Sequence, residues 1–158
     1  VSDVKAPALV ALATDAETLE ARTLHLTFLA GDGQDKAQLR PPRLLLPHHA
    51  KAGAVVRLWP DEHVERVLGI AEGIETALSL AHAGVPVWAA IDAGNLARLP
   101  VLGGIEELLV AVDRDPAGET AAQLLARRWS AAGVIVRLVL PKAGDLNDVA
   151  TGRLGNDD

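Results

Sequence analysis

The chain has 158 residues, a formal net charge of −6, and 49% hydrophobic against 23% charged residues. That describes one ordinary-sized domain with a packed core, and it excludes a protein that grips phosphate backbones through bulk positive charge. The absence of cysteine excludes disulfides and thiolate zinc sites and makes the cytoplasm the default location, and no apolar run approaches the roughly 20 residues that would cross a bilayer, so no membrane partner is expected.

Residues 1–63 read as a small β-rich subdomain. "VSDVKAPALV" lacks the basic-then-apolar build of a secretory signal. "ALVALAT" reads as extended chain. "TLHLTFL" alternates Leu24, Leu26 and Phe28 with His25 and Thr27, the mark of a half-buried strand. Asp32-Gly33 signals a tight turn. "RPPRLLLPHHAKAG" reads as an irregular proline-rich connector, and "AVVRLWP" as another strand. From residue 64 the rhythm becomes strand, helix, strand, helix. "RVLGIAE" is a strand, and "GIETALSLAHAG" is a helix with Gly84 as its stop. "VPVWAAI" is a second strand, "GNLARLP" a short helix and "ELLVAVD" a third strand. Residues 116–132 form the strongest helix, with Pro116 in its first turn and Gly133 past its end. "VIVRLVL" is a fourth strand and "DLNDVATG" a closing helical turn. Continuous apolar strands alternating with helices imply an α/β core: a mostly parallel sheet of about four strands covered on both faces. Residues 64–152 are assigned to this core and 153–158 to a flexible tail.

The acids fall at strand ends. Glu72 closes the first core strand. Asp113 closes the third, with Asp115 two residues on, and Asp145 and Asp148 follow the fourth. In an open parallel sheet these ends share one edge, where ligands bind. Carboxylates brought together there repel and raise one another's pKa. A divalent cation removes the conflict, and all-oxygen donors select Mg²⁺ or Mn²⁺. Gly73 allows close approach of backbone and substrate. Gly118 lies in a helix first turn, whose free N–H groups favour anions. Acids holding a metal beside a helix N-terminus suit a phosphate.

"AEGIETALS", "AVDRDPAGETAA" and "KAGDLNDVA" together resemble the three motifs of the Toprim domain, a Rossmann-like fold shared by bacterial-type DNA primases, topoisomerases and some nucleases. The nearest likeness is to Toprim domains of phage- and plasmid-type primases and primase-helicases, in which a segment like "LHLTFLAGDGQDKA…PPRLLL" precedes the glutamate motif. The resemblance spans residues 8–152. It implies that Glu72 is a general acid/base or metal ligand, Asp113 and Asp115 metal ligands, Asp145 and Asp148 supporting ligands, and Lys142 a phosphate contact. The family's Gly-Lys-Asp order is replaced here by Lys142-Ala143-Gly144-Asp145. The implied activity is nucleotidyl transfer in primer synthesis from NTPs on a single-stranded DNA template.

Other readings stay open beside these. Asp115, before Pro116, also fits a helix N-cap, as Asp145 does for the last turn. Glu75 and Glu119 are read as solvated helix positions, and Asp92 as a turn residue. His48 and His49 are adjacent and would point to opposite sides of a strand, so they are read as loop surface. Lys36, Arg40, Arg43, Lys51 and Arg57 form a basic run that either solubilises loops or guides template and nucleotide. Arg114 pairs with an aspartate or meets a phosphate. Arg127 and Arg128 are read as a solvated helix face. A metal-dependent nuclease would use the same acids on water, and a nucleotide- or partner-binding module would need no turnover. The absence of tyrosine argues against a topoisomerase. Four aromatic residues are too few for base-stacking platforms. There is no zinc finger, no G-x-x-x-x-G-K loop and no methionine. The chain is therefore expected to be a piece of something longer, or one with a processed start, with zinc-binding or helicase modules elsewhere.

Overall fold

The computed structural model describes residues 5–33 and 35–140. The expected closing helical turn and tail, with Lys142, Asp145 and Asp148, lie outside the described residues. The strands are β1 (Ala8–Asp15), β2 (Ala21–Phe28), β3 (Arg43–Leu45), β4 (Ala54–Arg57), β5 (Val67–Ala71), β6 (Val87–Ala89), β7 (Glu107–Ala111) and β8 (Ile135–Val139). The helices are α1 (Ile74–His82), α2 (Ala93–Arg98) and α3 (Pro116–Ala131), with a single 3-10 turn at Asp61–His63. All eight strands form one sheet in the order β3-β2-β1-β4-β6-β5-β7-β8. The four strands β6, β5, β7 and β8 run parallel, as the strand–helix alternation requires. The N-terminal strands join by antiparallel pairing, with β4 carrying Val56 opposite Ala89 of β6.

The parallel strands are apolar on both faces because helices cover both. On one face Leu68, Ile70, Trp88, Leu108 and Val110 pack against Leu96 of α2 and Ala121, Ala122, Leu125 and Trp129 of α3. On the other, Ala71, Val87, Ala89 and Ala111 pack against Ile74, Ala77 and Leu80 of α1. Gly84 and Gly133 end α1 and α3 at φ 79° and 87°, the left-handed geometry that favours glycine past a helix end.

The N-terminal strands depart from the sequence expectation in two ways. The connector "RPPRLLL" contains β3, a three-residue edge strand hydrogen-bonded to β2. Prolines beside an edge strand leave its ladder intact, so they hid it without preventing it. The buried side of β2 is also the polar one: Thr23, His25 and Thr27 lie inside, opposite Ala13, Ala11 and Leu9. The apolar side faces out, with Val10, Leu12 and Leu44 at 57%, 52% and 43% exposure beside Leu24 and Leu26. The helices α2 and α3 cover the parallel strands and Val55 of β4, and β1 to β3 extend past them.

The β1–β2 turn is closed by Asp15. Its Oδ1 accepts the N–H groups of Glu17 and Thr18 at 3.0 Å each, and its Oδ2 meets Arg22 at 2.7 Å. The Thr18 amide, the Arg22 guanidinium and the Glu17 amide hold this carboxyl well below the usual carboxylate range. A depressed folded pKa contributes stability above the unfolded value and loses it as pH falls. Asp15→Asn is expected to cost about 1–2 kcal/mol at pH 7. The difference from wild type should shrink as pH drops below 3.8, measured by urea unfolding at each pH.

Candidate active site

Register positions the acids. Ala71 of β5 pairs with Ala111 of β7, so the chain leaves adjacent parallel strands at the same height, one residue before Glu72 and two before Asp113. Ala89 of β6 lies on the other side of Ala71 and is followed by Asp92. The carboxyl edge therefore carries Glu72, Asp92, Asp113 and Asp115 together. Burial pushes the Glu72 carboxyl up, and the charges of Asp113, Asp115 and Asp92 push it further, against one hydrogen bond from the Ala93 N–H. Its Oε2 is buried with no hydrogen-bond partner. A buried carboxylate oxygen of this kind is costly unless it holds a proton or meets a cation.

Asp113 is held from two helices. The buried Thr76 of α1 donates its hydroxyl to Asp113 Oδ1 at 3.1 Å. On the other side, a Cβ added to Gly118 would come within 2.8 Å of the Asp113 carbonyl oxygen. This close approach, and not an open anion site, is what Gly118 provides: its N–H already donates to Asp115 Oδ1 at 2.8 Å. Asp115 is thus the N-cap of α3, the local reading of its sequence context. A cap uses one oxygen and leaves the exposed carboxylate its second. Arg114 is exposed beside it.

The basic run is largely engaged with acids of the core. Lys36 Nζ lies 3.0 Å from Glu75 Oε1, and Arg43 Nη2 lies 3.0 Å from Glu75 Oε2. Glu75 is therefore not a solvated helix position. It is half-buried; burial pushes its carboxyl up, but hydrogen bonds and the two cations prevail and lower it. The same carboxylate bends back over the Glu72–Gly73 turn, with Oε2 3.4 Å from where a Gly73 Cβ would stand. Lys51 Nζ lies 2.6 Å from Asp92 Oδ2. Asp92 also caps α2 through the Asn95 N–H at 2.9 Å, so it is both turn residue and part of the acidic edge. Arg57 is structural: it stacks 4.3 Å from the Trp88 ring centroid, pairs with Asp61 and donates to Thr14, Asp15 and Ala16. Arg128 is likewise no solvated residue, since it donates to the carbonyls of Ala97 and Leu99 at the end of α2. Arg40, His48 and His49 are exposed.

Sequence reasoning missed Thr76 and Ile91. Thr76 sits one helical turn past Glu72, a position at which a threonine alone signals nothing. Ile91 holds φ 76° just before Asp92, an outlier for a β-branched residue that only coordinates reveal.

Among the described residues, no three acidic or histidine side chains are grouped as a ready metal cage. The donors nonetheless fit a hard cation in kind: all are carboxylates, and Glu72 offers a buried, unpartnered oxygen.

The chain belongs to the Toprim domain family, whose model matches residues 67–155. Residues 2–58 match a domain of unknown function, DUF7146. No curated protein is a match. Among solved structures, the primase fragment of the bacteriophage T7 primase-helicase is similar at TM-score 0.63 and 16% identity, covering 92% of this chain and 59% of that one. A DNA primase domain from Pseudomonas aeruginosa gives TM-score 0.62 and 18% identity over 92% and 47%. The T7 primase domains bound to an RNA/DNA hybrid and dTTP give 0.60 and 15% over 94% and 72%. At these identities the likeness is one of fold, and the chain spans about half the length of the first two.

Two expectations follow from this geometry. Because the folded Glu72 pKa is raised, its ionisation opposes folding, and stability falls as pH rises past 4.5. In EDTA at pH 7, Glu72→Gln should raise the melting temperature by roughly 2–4 °C. The gain should disappear below pH 4.5, as scanning calorimetry at both pH values would show. Gly118→Ala should lose about 1–3 kcal/mol in denaturant titration, because α3 must retreat from Asp113.

Proposed function

We propose that this chain is the metal-dependent nucleotidyl-transfer module of a DNA primase, contributing to RNA primer synthesis in phage or plasmid replication. The observation that carries the reading is the meeting of Glu72 with Asp113 and Asp115 at the carboxyl edge of a Toprim sheet, with one Glu72 oxygen buried and unpartnered. Asp113, Asp115 and Glu72 would hold Mg²⁺ or Mn²⁺, with Asp145 and Asp148 as further donors. When bound, the ion polarises a phosphoryl oxygen and neutralises the charge that gathers there.

The chain's own residues supply the rest. Burial and the neighbouring carboxylates push the Glu72 carboxyl up in the metal-free chain; Glu72 would serve either as a ligand to the ion or as the general base for an attacking 3′-hydroxyl. Gly73 adds no side chain of its own to the turn, which the Glu75 carboxylate overlies. Lys36 and Arg43 share a single carboxylate, Glu75, so that triad retains a net positive charge at the rim, where nucleotide or template phosphates would pass. Arg114 and Lys142 are placed in sequence to meet the same phosphates. The partners are NTPs and a single-stranded DNA template. T7 primase domains have been solved with an RNA/DNA hybrid and dTTP, ligands that share the nucleic-acid and nucleoside-triphosphate chemistry of this reading. With a net charge of −6, template grip falls mainly to other modules, zinc-binding or helicase.

The test is a primer-synthesis assay with single-stranded template, labelled NTPs and Mn²⁺, using the chain alone and joined to its neighbouring modules. Template- and NTP-dependent oligoribonucleotides are expected, reduced at least about 100-fold by Asp113→Asn. Degradation of nucleic acid without NTPs would identify a nuclease, and nucleotide affinity that survives Asp113→Asn without synthesis would identify a binding module.

A further inference from the structure

Thr76 lies in the interior of α1 and is 4% exposed, among Ile74, Ala77 and Leu80 on the apolar side of the helix. Nothing about that packing calls for a hydroxyl. Valine has the same shape, and a buried hydroxyl without a partner costs about 1–3 kcal/mol. A helical threonine ordinarily returns its hydroxyl to a carbonyl one turn back. Here it crosses to another element instead and donates to Asp113 Oδ1 at 3.1 Å, linking residues 37 positions apart.

The link joins the two halves of the acidic site. The helix carrying Thr76 begins directly after Glu72-Gly73, so the hydroxyl is tied to the strand end that supplies Glu72. Its acceptor stands at the end of the neighbouring strand. The main chain of Asp113 is fixed independently, by the close approach of Gly118 and by the Asp115 N–H, which donates to the Asp113 carbonyl at 2.9 Å. The Thr76 hydroxyl acts on the side chain instead: it gives Oδ1 a donor fixed in the buried face of α1, on the side of Asp113 that the charge of Glu72 repels.

We propose that Thr76 is a positioning residue of the acidic site: its hydroxyl, donated to Asp113 Oδ1 from the helix that follows Glu72, sets the rotation of the Asp113 carboxylate beside Glu72. The proposal rests on the reading of these acids as cation ligands, and it assigns Thr76 the part that outer hydrogen-bond partners play for metal-bound carboxylates, whose loss costs about 10–100-fold in affinity.

Two measurements on the 158-residue chain test it. In the metal-free protein, the three-bond coupling between backbone nitrogen and the Asp113 carboxyl carbon reports the side-chain rotamer. Wild type and Thr76→Ser should show the same coupling, and Thr76→Val a changed value with its melting temperature close to wild type. In a Mn²⁺ titration followed by electron paramagnetic resonance, Thr76→Val should bind at least about 10-fold more weakly, with Thr76→Ser within about 3-fold of wild type. An Asp113 coupling in Thr76→Val equal to that of wild type, or unchanged Mn²⁺ affinity, overturns the proposal. Equal losses in the serine and valine variants overturn it as well, because they assign the effect to the methyl group. If wild type itself fails to bind Mn²⁺, the cation reading fails, and the rotamer measurement still decides what Thr76 does.

Discussion

Two carboxylates at the ends of neighbouring parallel strands set the terms for the rest of this molecule. The β5–β7 register brings Glu72 and Asp113 to one sheet edge, one and two residues past the paired Ala71 and Ala111, and partial burial strengthens their repulsion. The surrounding structure answers with donors. Thr76 reaches Asp113, the Ala93 amide reaches Glu72, and Lys51 neutralises Asp92 before its charge can add fully to the cluster. One oxygen of Glu72 is left without a donor. A fold selected for stability alone would have placed neutral side chains at this edge; under the proposed function, a cation would relieve the charge that remains.

The N-terminal strands belong to the same electrostatic arrangement. They extend the sheet through β4, and the segments around them bring cations to this edge: Lys36 and Arg43 to Glu75, Lys51 to Asp92. His25 lies buried under the Glu75 cluster. Burial and then the Arg43 charge keep its imidazole toward the neutral form, with Glu75 opposing. Burying His25 and two threonines on that side leaves the leucines of β1 to β3 on the other. The unusual orientation of β2 thus follows from where its neighbours' charges must go.

The elements most legible in the sequence were those whose pattern is local. Four apolar runs became four parallel strands, and the Pro116…Gly133 frame marked α3 almost to the residue. That Glu72, Asp113 and Asp115 share an edge was legible because parallel strands end on one edge whatever the details. Three kinds of information were not. Alternation says that Leu24 and His25 face opposite ways, but not which side a helix will cover. Short edge pairing such as β3 has too few residues to show a period. Ion pairs over long separations, such as Arg43 with Glu75 across 32 residues, leave no local trace. Glu75 and Arg128 were therefore read as solvated, although each closes a contact between distant segments.

Ile91 shows how the site is held in place. A β-branched residue at φ 76° costs on the order of 1–3 kcal/mol and survives only where its surroundings over-determine it. The surroundings here are specific. Asn95 donates its side-chain amide to the carbonyls of Lys51 and Ala54 and accepts the Gly53 N–H, fastening α2 to the N-terminal segment. Asp92 caps the same helix and pairs with Lys51. With α2 anchored in this way and β6 fixed in the sheet, Ala90, Ile91 and Asp92 between them have little choice of path. The path they take turns the Ala93 N–H toward Glu72. The strain at Ile91 is therefore the local cost of bringing a backbone donor to a carboxylate that its neighbours repel, and the N-terminal segment, through Asn95 and Lys51, is what makes that cost sustainable.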